Sequence, residues 1–399
     1  MADDFDVLVI GGGLVGASFA CAMAGSGRRI GLVEAALPAT DPVPDQVERT
    51  TALAWGSRIL FERWGLWPAI AGTAAPIRHL HVSQRGRFGV TRVDHADYGV
   101  DALGYVVPNH VLAGALYQRL ADVDGVEVIA PARFQQLETG EHRVAVTLSE
   151  GDRSRQITTC LVVGADGAGS AVRAALGIGA EIRDYGQQAV VTSVCPGRPP
   201  GDTAYERFTP AGPIAILPRS ATDVALVWTL PTDEAEQRCR EDDGAFLAAL
   251  QTAFGQRLGR FDGLGPRGAY PLKRVICPRP IAERALLVGS AGHHLHPAAA
   301  QGFNLALRDV TVLAGLLQTA ADPGDAALLE TWREARRADQ HRVSNFTDGI
   351  VRLFSNRLPG LGLARGLGLT GLELLPGIKH DMARRSMGLA FASDVTTDA

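Results

Sequence analysis

Cysteine is scarce in this chain, and the few cysteines form no motif. There are five among 399 residues, widely spaced and odd in number: Cys21, Cys160, Cys195, Cys239 and Cys277. No C-x-x-C pair occurs, so the pattern indicates neither a zinc knuckle nor a redox dithiol nor a disulfide framework. Reduced, mostly buried thiols are what this usage predicts, as in a cytoplasmic protein.

Long apolar runs and an excess of positive charge are also missing. No window of about 18 or more residues is apolar and free of charge, so no membrane-spanning helix is predicted. The formal net charge is −4, and no basic helix or aromatic–basic platform occurs, which argues against a nucleic-acid partner. Asp3, Asp4 and Asp6 replace the positive region that a signal peptide requires. We therefore expect a cytoplasmic protein.

The strongest positive signal lies close to the start of the chain. Phe5–Ile10 is an apolar, β-branched run that predicts a buried parallel strand. Gly11, Gly13 and Gly16 follow in G-x-G-x-x-G spacing, and a small-residue helix is predicted over 17–24. In this arrangement the glycines allow a tight turn, a close approach of backbone to pyrophosphate, and close packing of helix on strand.

A second predicted strand, 29–33, ends at Glu34, whose carboxylate is placed to accept hydrogen bonds from ribose hydroxyls. The helix N-terminus offers unpaired N–H groups and a positive dipole end to a phosphate. The alternative is a glycine-rich turn without a ligand. Strand, helix, second strand and terminal Glu occur in register, which favours binding of an adenine dinucleotide.

Short helix and strand patterns fill the rest of the chain. Helices are predicted over 51–64, 109–120, 242–258 and 304–320, and strands over 80–92, 126–130, 144–148, 156–163 and 285–289. Further short strands are predicted over 189–195, 204–209, 214–217 and 224–230. Their spacing of roughly ten residues is typical of an antiparallel sheet. The order of elements predicts an α/β nucleotide-binding domain with a mostly antiparallel sheet domain inserted into it.

Three separated stretches resemble the three fingerprints of the flavoprotein aromatic hydroxylases, the para-hydroxybenzoate hydroxylase type of fold. The first is the glycine turn, and the second is Val-Gly-Ala-Asp-Gly at 163–167. The third is Leu-Val-Gly-Ser-Ala-Gly at 287–292, followed by His296-Pro297 and Gln-Gly-Phe-Asn at 301–304. Within that group the chain most resembles the ubiquinone-biosynthesis hydroxylases, in the branch acting on 2-polyprenyl-6-methoxyphenol. Nearly the whole chain takes part, through 49–53, 81–86, 206–209, 212–218, 226–228, 254–259 and 384–388.

The resemblance implies an FAD cofactor, NAD(P)H as a transient reductant and O2 as co-substrate. The implied activity is hydroxylation of a polyprenyl phenol in ubiquinone biosynthesis, through a flavin C4a-hydroperoxide. The implied fold is α/β: a Rossmann-like FAD-binding domain, an inserted mostly antiparallel β-sheet substrate domain, and a helical C-terminal tail. Their expected ranges are 1–75, 100–180 and 280–345 for the first, 76–99 and 181–279 for the second, and 346–399 for the third.

Several cofactor contacts follow from the resemblance. Asp166 is expected to bind ribose hydroxyls, Arg49 the pyrophosphate and flavin edge, and the backbone N–H groups of Gly302 and Asn304 the flavin N1–C2=O edge. Plainer alternatives are a turn or helix cap for Asp166, an ion pair with Glu48 or Asp45 for Arg49, and ordinary helix entry at 301–302. The full expected set is Gly11, Gly13, Leu14, Val15, Gly16, Glu34, Arg49, Asp166, Gly289, Ser290, Pro297, Gly302, Phe303 and Asn304.

Two residues depart from the family pattern. Ser290 stands where the commoner fingerprint has an Asp that accepts from the ribityl hydroxyls. The named branch often has an uncharged residue there, and we expect weakly held FAD, because a neutral hydrogen bond is weaker than one to a charged acceptor. Ala300 stands where glycine is usual, and its methyl group narrows the loop beneath the flavin.

The substrate pocket is expected in the inserted sheet. Its candidate lining residues, each with plain core packing as the alternative, are Tyr205, Phe208, Leu217, Pro218 and Trp228, with Pro297 beside them. The sequence nominates no general base. His293, His294 and His296 lack a supporting carboxylate or Cys nearby in sequence, so we expect no metal and place His296 beside the flavin. No G-x-S-x-G elbow occurs that would indicate a serine hydrolase.

The apolar tail 354–389 permits two interpretations. With Arg352, Arg357, Arg365, Lys379, Arg384 and Arg385 it suits contact with the inner membrane face or with other ubiquinone-biosynthesis proteins. Ordinary packing over the FAD domain is the plainer alternative. Two other functions also stay open: a flavoenzyme like the geranylgeranyl reductases, and a degenerate flavoprotein serving as a structural subunit of a biosynthetic complex.

Overall fold

The computed structural model describes residues 4–39, 41–43, 45–355 and 361–389. Arg357 and residues 390–399 of the predicted C-terminal segment lie outside this range, as does the side chain of Arg365. Within it the strands are β1 (Phe5–Ile10), β2 (Ile30–Val33), β3 (Thr50–Ala54), β4 (Ala75–Ile77), β5 (His79–Gln84), β6 (Val90–Asp94), β7 (Gly104–Pro108), β8 (Val126–Ile129), β9 (Arg133–Thr139), β10 (Val144–Glu150), β11 (Arg153–Gly164), β12 (Glu181–Pro196), β13 (Thr203–Phe208), β14 (Pro213–Pro218), β15 (Val224–Pro231), β16 (Phe261–Leu264), β17 (Gly268–Ile276), β18 (Ile281–Ala282), β19 (Ala285–Leu287) and β20 (His293–His294). The α-helices are α1 (Leu14–Ala22), α2 (Trp55–Arg63), α3 (Trp67–Ile70), α4 (Asn109–Ala121), α5 (Ala171–Ala175), α6 (Thr232–Arg240), α7 (Asp243–Phe254), α8 (Gly302–Thr319), α9 (Ala326–Ser355), α10 (Leu361–Leu374) and α11 (Pro376–Ser386).

The first sheet has the order β18-β19-β11-β1-β2-β8, with β10 and β9 attached beside β11. Its central strand β1 is parallel to both neighbours, with Val7 opposite Leu161 on one side and Ile30 on the other. Alternate residues of β1 enter two cores: Val7 and Val9 pack with α1, α4 and α8, and Leu8 packs with β10. The predicted buried parallel strand is confirmed, since a strand covered on both faces is apolar throughout.

The second sheet has nine strands in the order β20-β17-β12-β15-β14-β13-β5-β6, with β16 beside β12. Its neighbours are antiparallel except β13 and β5. One face packs on α6 and α7, through a core that joins Ile214, Ile216 and Trp228 to Phe246 and Leu250. The predicted mixed fold, a nucleotide-binding sheet with an inserted and mostly antiparallel one, is therefore confirmed.

A third, small sheet corrects one predicted element. The pattern over 51–64 predicts a single helix, whereas its first residues form β3 and only the remainder forms α2. Thr51 of β3 lies opposite Val107 of β7 in an antiparallel pair. Pairing with a strand that lies far away in sequence therefore overrides the local helical spacing, and it suits the β-branched Thr50 and Thr51.

The C-terminal helices contact both the nucleotide-binding part and the second sheet. The 30-residue helix α9 packs on α8, and the fully buried Trp332 donates its Nε1–H to the Asp309 carbonyl (3.0 Å). On α10, Glu373 Oε2 accepts the Arg92 N–H of β6 (3.0 Å), and Met387, just after α11, accepts the Gly56 N–H of α2 (2.8 Å). None of the described helices combines the length and apolarity that crossing a membrane requires.

Candidate functional site

The glycine turn lies directly against the end of β11. Gly11 has φ +105°, and a Cβ there would lie 2.6 Å from the Ala165 carbonyl oxygen, so only glycine fits. A Cβ at Gly16 would collide with the Gly11 carbonyl. Because glycine has no Cβ, α1 can pack closely against the end of β1. Gly13 has open space around it and begins α1 without a side-chain cap. The first N–H groups of this helix therefore face an open position that suits a phosphate.

Glu34 and Tyr117 hold the turn from its other side. Glu34 Oε2 accepts the Gly12 N–H (2.7 Å), and Glu34 Oε1 accepts the Ala36 N–H (3.0 Å). The Tyr117 hydroxyl donates to the Gly12 carbonyl (2.8 Å), and burial followed by the nearby charge of Glu34 raises the pKa of Tyr117. Tyr117 was not expected from the sequence, because nothing in α4 marks which of its residues reaches the turn.

Asp166 combines a structural bond with an unused acceptor. Its Oδ2 accepts the Val172 N–H of α5 (3.1 Å), as a helix cap does. Its Oδ1 is buried and has no hydrogen-bond partner among the described residues. Buried carboxylate oxygens are rarely left unpaired, so this atom is suited to a donor from outside the chain, such as a ribose hydroxyl.

The third fingerprint lies beside the first. Gly289 has φ +58°, and a Cβ there would lie 3.0 Å from the Val15 side chain at the start of α1. Ser290 Oγ lies 3.3 Å from His294 Nδ1. The three fingerprints thus meet at one place, with Gly11 against Asp166 and Val15 against Gly289.

Asn304 links the start of α8 to the small sheet. Its Oδ1 accepts the Ala54 N–H (2.8 Å) and the Ser57 hydroxyl (2.7 Å). Its Nδ2 donates to the carbonyls of Ala52 (2.9 Å) and Ala300 (2.8 Å). The side chain therefore fixes the loop before α8, while the N–H groups of the first helical turn have no acceptor within the helix.

Ala300 occupies a backbone position that favours glycine. Its φ is +48°, in the left-handed region, where a Cβ is unfavourable. It ends a short 3-10 turn, Ala298–Ala300, between Pro297 and α8. Alanine at position 300 is therefore conformationally less favourable than the glycine that is usual there.

Arg49 forms no ion pair with Glu48 or Asp45, the plainer alternative, among the described residues. Glu48 instead contacts His110 (3.2 Å) and Arg219. The exposed Arg49 guanidinium lies 5.9 Å from the centre of the Tyr270 ring. It directly precedes Thr50, which lines the large cavity described below.

The three neighbouring histidines turn toward different partners. His293 Nε2 contacts Asp309, and His294 Nδ1 contacts Ser290. His296 Nδ1 accepts the Ala298 N–H (3.1 Å), its ring packs edge-on against Tyr185, and burial lowers its pKa to about 4. In the part of the chain that the structure describes, no group of three or more His, Cys, Asp or Glu residues is arranged to hold a metal ion.

A cavity of about 950 Å³ lies where the third fingerprint meets the second sheet. Pro297, Gly302, Phe303 and Asn304 form one side of it. Another side comes from Ile350 and Leu353 of α9, Leu372 of α10, Met382 of α11 and Met387 just after α11. Among the residues predicted to line a pocket, Phe208, Leu217 and Pro297 do so.

The other three predicted pocket residues lie elsewhere. Tyr205 and Trp228 pack in the core beneath α6 and α7, and Pro218 is not among the lining residues. Side chains alternate along a strand, so Tyr205 faces away from the cavity that its neighbour Glu206 lines. Glu206 was not singled out by the sequence, and burial raises its pKa to about 7.

These residues fit FAD. The uncapped start of α1 beside Gly13 suits the pyrophosphate, Asp166 Oδ1 suits a ribose hydroxyl, and the cavity beside Pro297 and Gly302 has room for an aromatic ring system. No pair of cysteines and no metal cluster in the described residues competes with this interpretation.

Known proteins resemble this chain along most of its length. The family model described as "FAD binding domain" matches residues 4–347. The chain is 37% identical to the ubiquinone hydroxylase UbiL of Rhodospirillum rubrum, over 96% of this chain and 89% of that protein. It is 33% identical to the 3-demethoxyubiquinol 3-hydroxylase of Escherichia coli strain K12, over 96% and 98% of the two chains.

Solved structures share the fold at lower identity. The p-nitrophenol 4-monooxygenase PnpA from Pseudomonas putida DLL-E4 has a TM-score of 0.77 and 17% identity, covering 96% of this chain and 98% of that one. PqsL of Pseudomonas aeruginosa, in complex with 2-aminobenzoylacetate, has a TM-score of 0.75 and 23% identity, covering 92% and 99%. The chain belongs to the FAD-binding-domain family and, within it, to the flavin hydroxylases of ubiquinone biosynthesis, which are FAD-dependent monooxygenases.

Proposed function

We propose that this monooxygenase hydroxylates the ring of a polyprenylated phenol, with NAD(P)H as reductant and O2 as co-substrate. The observation that carries the proposal is a cavity that the third fingerprint and an apolar sheet face line together. Its volume of about 950 Å³ is near the upper end for small-molecule sites, and its walls are mostly apolar, as a prenylated ring requires.

FAD would be held by residues from three parts of the chain. The glycine turn with Glu34, the acceptor Asp166, and the stretch from Gly289 to Asn304 form the proposed site, with Arg49 at its edge. The corresponding division is an FAD-binding part at 1–75, 100–180 and 280–345 and a substrate part at 76–99 and 181–279. When bound, FAD carries electrons from the nicotinamide and activates O2.

The contribution of the protein is positioning and the exclusion of water. The apolar face formed by Val82, Ala204, Phe208, Ala215 and Leu217 keeps the reacting ring away from bulk solvent. Asn304 fixes the loop before α8, so that the first N–H groups of this helix point in a constant direction. Electrostatic stabilisation by such fixed donors needs no rearrangement during the reaction.

The proposal is tested with FAD-loaded protein, a short-chain prenyl phenol, NAD(P)H and isotopically labelled O2. We expect phenol-stimulated O2 uptake and a product that carries one labelled oxygen atom. NAD(P)H oxidation that proceeds equally without O2 would instead favour a reductase acting on isoprenoid double bonds. If phenol stimulates no NAD(P)H oxidation at all, the protein serves as a structural subunit rather than as an enzyme.

We also propose that the turn between α10 and α11 rests on a lipid surface. Leu374, Leu375 and Ile378 are exposed there by 73%, 53% and 55%. They lie next in sequence to Leu372 and Lys379, which line the cavity, so a prenyl chain leaving a membrane would meet this edge first. Arg384 and Arg385 follow on α11 and suit anionic lipid headgroups.

Flotation with anionic vesicles tests this contact. Replacing both Leu374 and Ile378 by Glu is expected to abolish co-flotation, because charged side chains do not enter the apolar boundary of a bilayer. Leu37→Glu is the matched control, since Leu37 is 59% exposed on a different loop. Equal flotation of the double variant and the wild type would leave a protein partner as the occupant of this surface.

A further inference from the structure

Glu206 interrupts an otherwise apolar surface. Along β13 it lies between Ala204 and Phe208, and across the sheet it lies opposite Ala215 of β14 and Val82 of β5. All four neighbours line the cavity together with Glu206, and none of them can ionise. A carboxyl group therefore projects from the apolar floor of the proposed substrate site.

This carboxyl group is also central within the floor. Five lining residues form a row across five successive strands, from β6 to β15, in the order Thr91, Val82, Glu206, Ala215 and Val227. Glu206 is the middle member of that row. A flat ring lying on the sheet would therefore meet this carboxyl group whichever end of the cavity its substituents enter.

The structure supplies no partner for the carboxyl group. Glu206 is half-buried, and within the described residues its carboxyl group forms no hydrogen bond and no ion pair. Burial raises its pKa to about 7, and no nearby cation opposes this effect. Buried ionisable groups without partners are destabilising, so they mark functional sites more often than structural ones.

Other titratable groups around the cavity are turned away or paired. The neighbouring His81 of β5 and Arg207 of β13 lie on the opposite face of the sheet, His81 beside Tyr205 and Arg207 beside Phe254. The residues that α9 contributes, which include Asn345 and Phe346, do not ionise. On α11, Lys379 lines the cavity but lies 3.3 Å from Glu373.

We infer that Glu206 is the catalytic base that accepts the proton of the ring hydroxyl of the substrate. This inference rests on the proposed phenol substrate and identifies the group that activates it. A phenolate carries more electron density at its ring carbons than a phenol, and the ring carbon is what attacks the oxygen atom to be transferred.

Each proton in the proposed reaction has a donor and an acceptor. The substrate O–H bond breaks, its electron pair stays on the phenolic oxygen, and the proton forms a new O–H bond on Glu206. Once the ring carbon has gained its oxygen, the ring is a dienone, and the proton of the attacked carbon passes to the second oxygen atom of O2, which leaves as water. Glu206 then returns its own proton to the phenolic oxygen, and the carboxylate is restored for the next turnover.

The test compares FAD-loaded wild type with Glu206→Gln, which keeps the shape and removes the proton acceptor. We expect kcat for phenol hydroxylation to fall by about 100-fold or more, as for loss of a general base. We also expect loss of the rise in kcat/KM through about pH 7, the value to which burial brings the pKa of Glu206. Glu206→Asp, which restores a carboxylate on a shorter side chain, should recover part of the activity.

The control is Glu236→Gln, the same chemical change at an exposed residue of α6 that pairs with Arg240. Wild-type kcat and an unchanged pH profile in Glu206→Gln would overturn the inference while the proposed function stands. If the wild type hydroxylates no phenol, the proposed function fails, and bound 4-nitrophenol decides the inference separately. Its absorbance should then show more phenolate in wild type than in Glu206→Gln, and equal ionisation in both would overturn the role of Glu206.

Discussion

Asp309 Oδ1 lies 2.6 Å from Arg336 Nε, and neither side chain reaches solvent appreciably. The pair joins α8 to α9. Asp309 Oδ2 also contacts His293 and accepts from Gln340 Nε2 (3.0 Å). Burial alone would raise the pKa of Asp309, but the charges of Arg336 and His293 and their hydrogen bonds lower it to about 2.

Replacing Asp309 by Asn is expected to destabilise the protein by about 3–5 kcal/mol at neutral pH, because the buried Arg336 must then share the carboxylate of Asp339 with Arg308. The folded-state pKa of Asp309 lies below its ordinary value of 3.8. The stabilisation is therefore fully present above about pH 4 and is lost as the pH falls toward 2. Urea unfolding at several pH values measures this, and the two proteins should converge in acid. Asp381→Asn, which breaks an exposed ion pair with Arg385, is the control and should change little.

Ser290→Asp is expected to tighten FAD binding about fivefold, because a charged acceptor forms a stronger hydrogen bond than a hydroxyl by about 1 kcal/mol. Ser290→Asn is the control, since it has the same size without the charge. Fluorescence titration of the apoprotein with FAD gives the dissociation constants. Equal values for the Asp and Asn variants would contradict the expectation of weakly held FAD.

The same substitution should also affect His294. At present burial lowers the pKa of His294, and the neighbouring His293 adds to this effect. A carboxylate at position 290, where Ser290 Oγ lies 3.3 Å from His294 Nδ1, would raise that pKa. An NMR titration of the histidine ring signals in the two variants therefore tests the geometry independently of FAD affinity.

Ala300→Gly is expected to stabilise the protein by about 0.5–1 kcal/mol. Removing the unfavourable left-handed conformation of alanine stabilises the folded state by about 1–2 kcal/mol. The greater conformational freedom of glycine in the unfolded chain offsets part of this stabilisation. Ala298→Gly is the control in the same short turn, since Ala298 is not among the residues with positive φ. That variant should be destabilised instead. A thermal unfolding scan in which both variants shift in the same direction would show that φ at Ala300 is not the cause.

Asp166→Asn should weaken FAD binding by about tenfold or more, since a hydrogen bond to a charged acceptor contributes about 1.5–3 kcal/mol. The Asn side chain still offers an oxygen to the Val172 N–H, so the stability of the apoprotein should hold. Titration with FAD and urea unfolding of the apoprotein separate the two effects. Unchanged affinity would mean that Asp166 is a helix cap and nothing more.

The nucleotide-binding elements could be predicted from sequence because their physical requirements are local. A tight turn needs Gly11, a close helix needs Gly16, and a doubly covered strand is apolar throughout. The small strand β3 could not be predicted, because it exists through pairing with β7, more than fifty residues away in the chain. The local spacing there suits a helix.

The substrate cavity was harder to predict. The alternation of side chains along a strand shows which residues share a face of the sheet, but it does not show which face the helices cover and which face lines the cavity. Tyr205 and Trp228 pack under α6 and α7, whereas Glu206 and Phe208 face the cavity. The pattern Ala204-x-Glu206-x-Phe208 did carry a signal, namely one charge on an apolar face. A glutamate in a strand usually faces water, so the signal becomes meaningful only when the covering helices are known.

The walls of the cavity come from widely separated parts of the chain. Of the segments that form these walls, α10 and α11 are the last to leave the ribosome. Every proposed FAD contact, by contrast, has been synthesised by residue 304. The nascent protein can therefore assemble its flavin pocket and the sheet floor of the ring site before α10 and α11 cover the cavity. Cofactor loading would then precede closure, so that an empty enzyme with a finished substrate chamber is the less accessible product of synthesis.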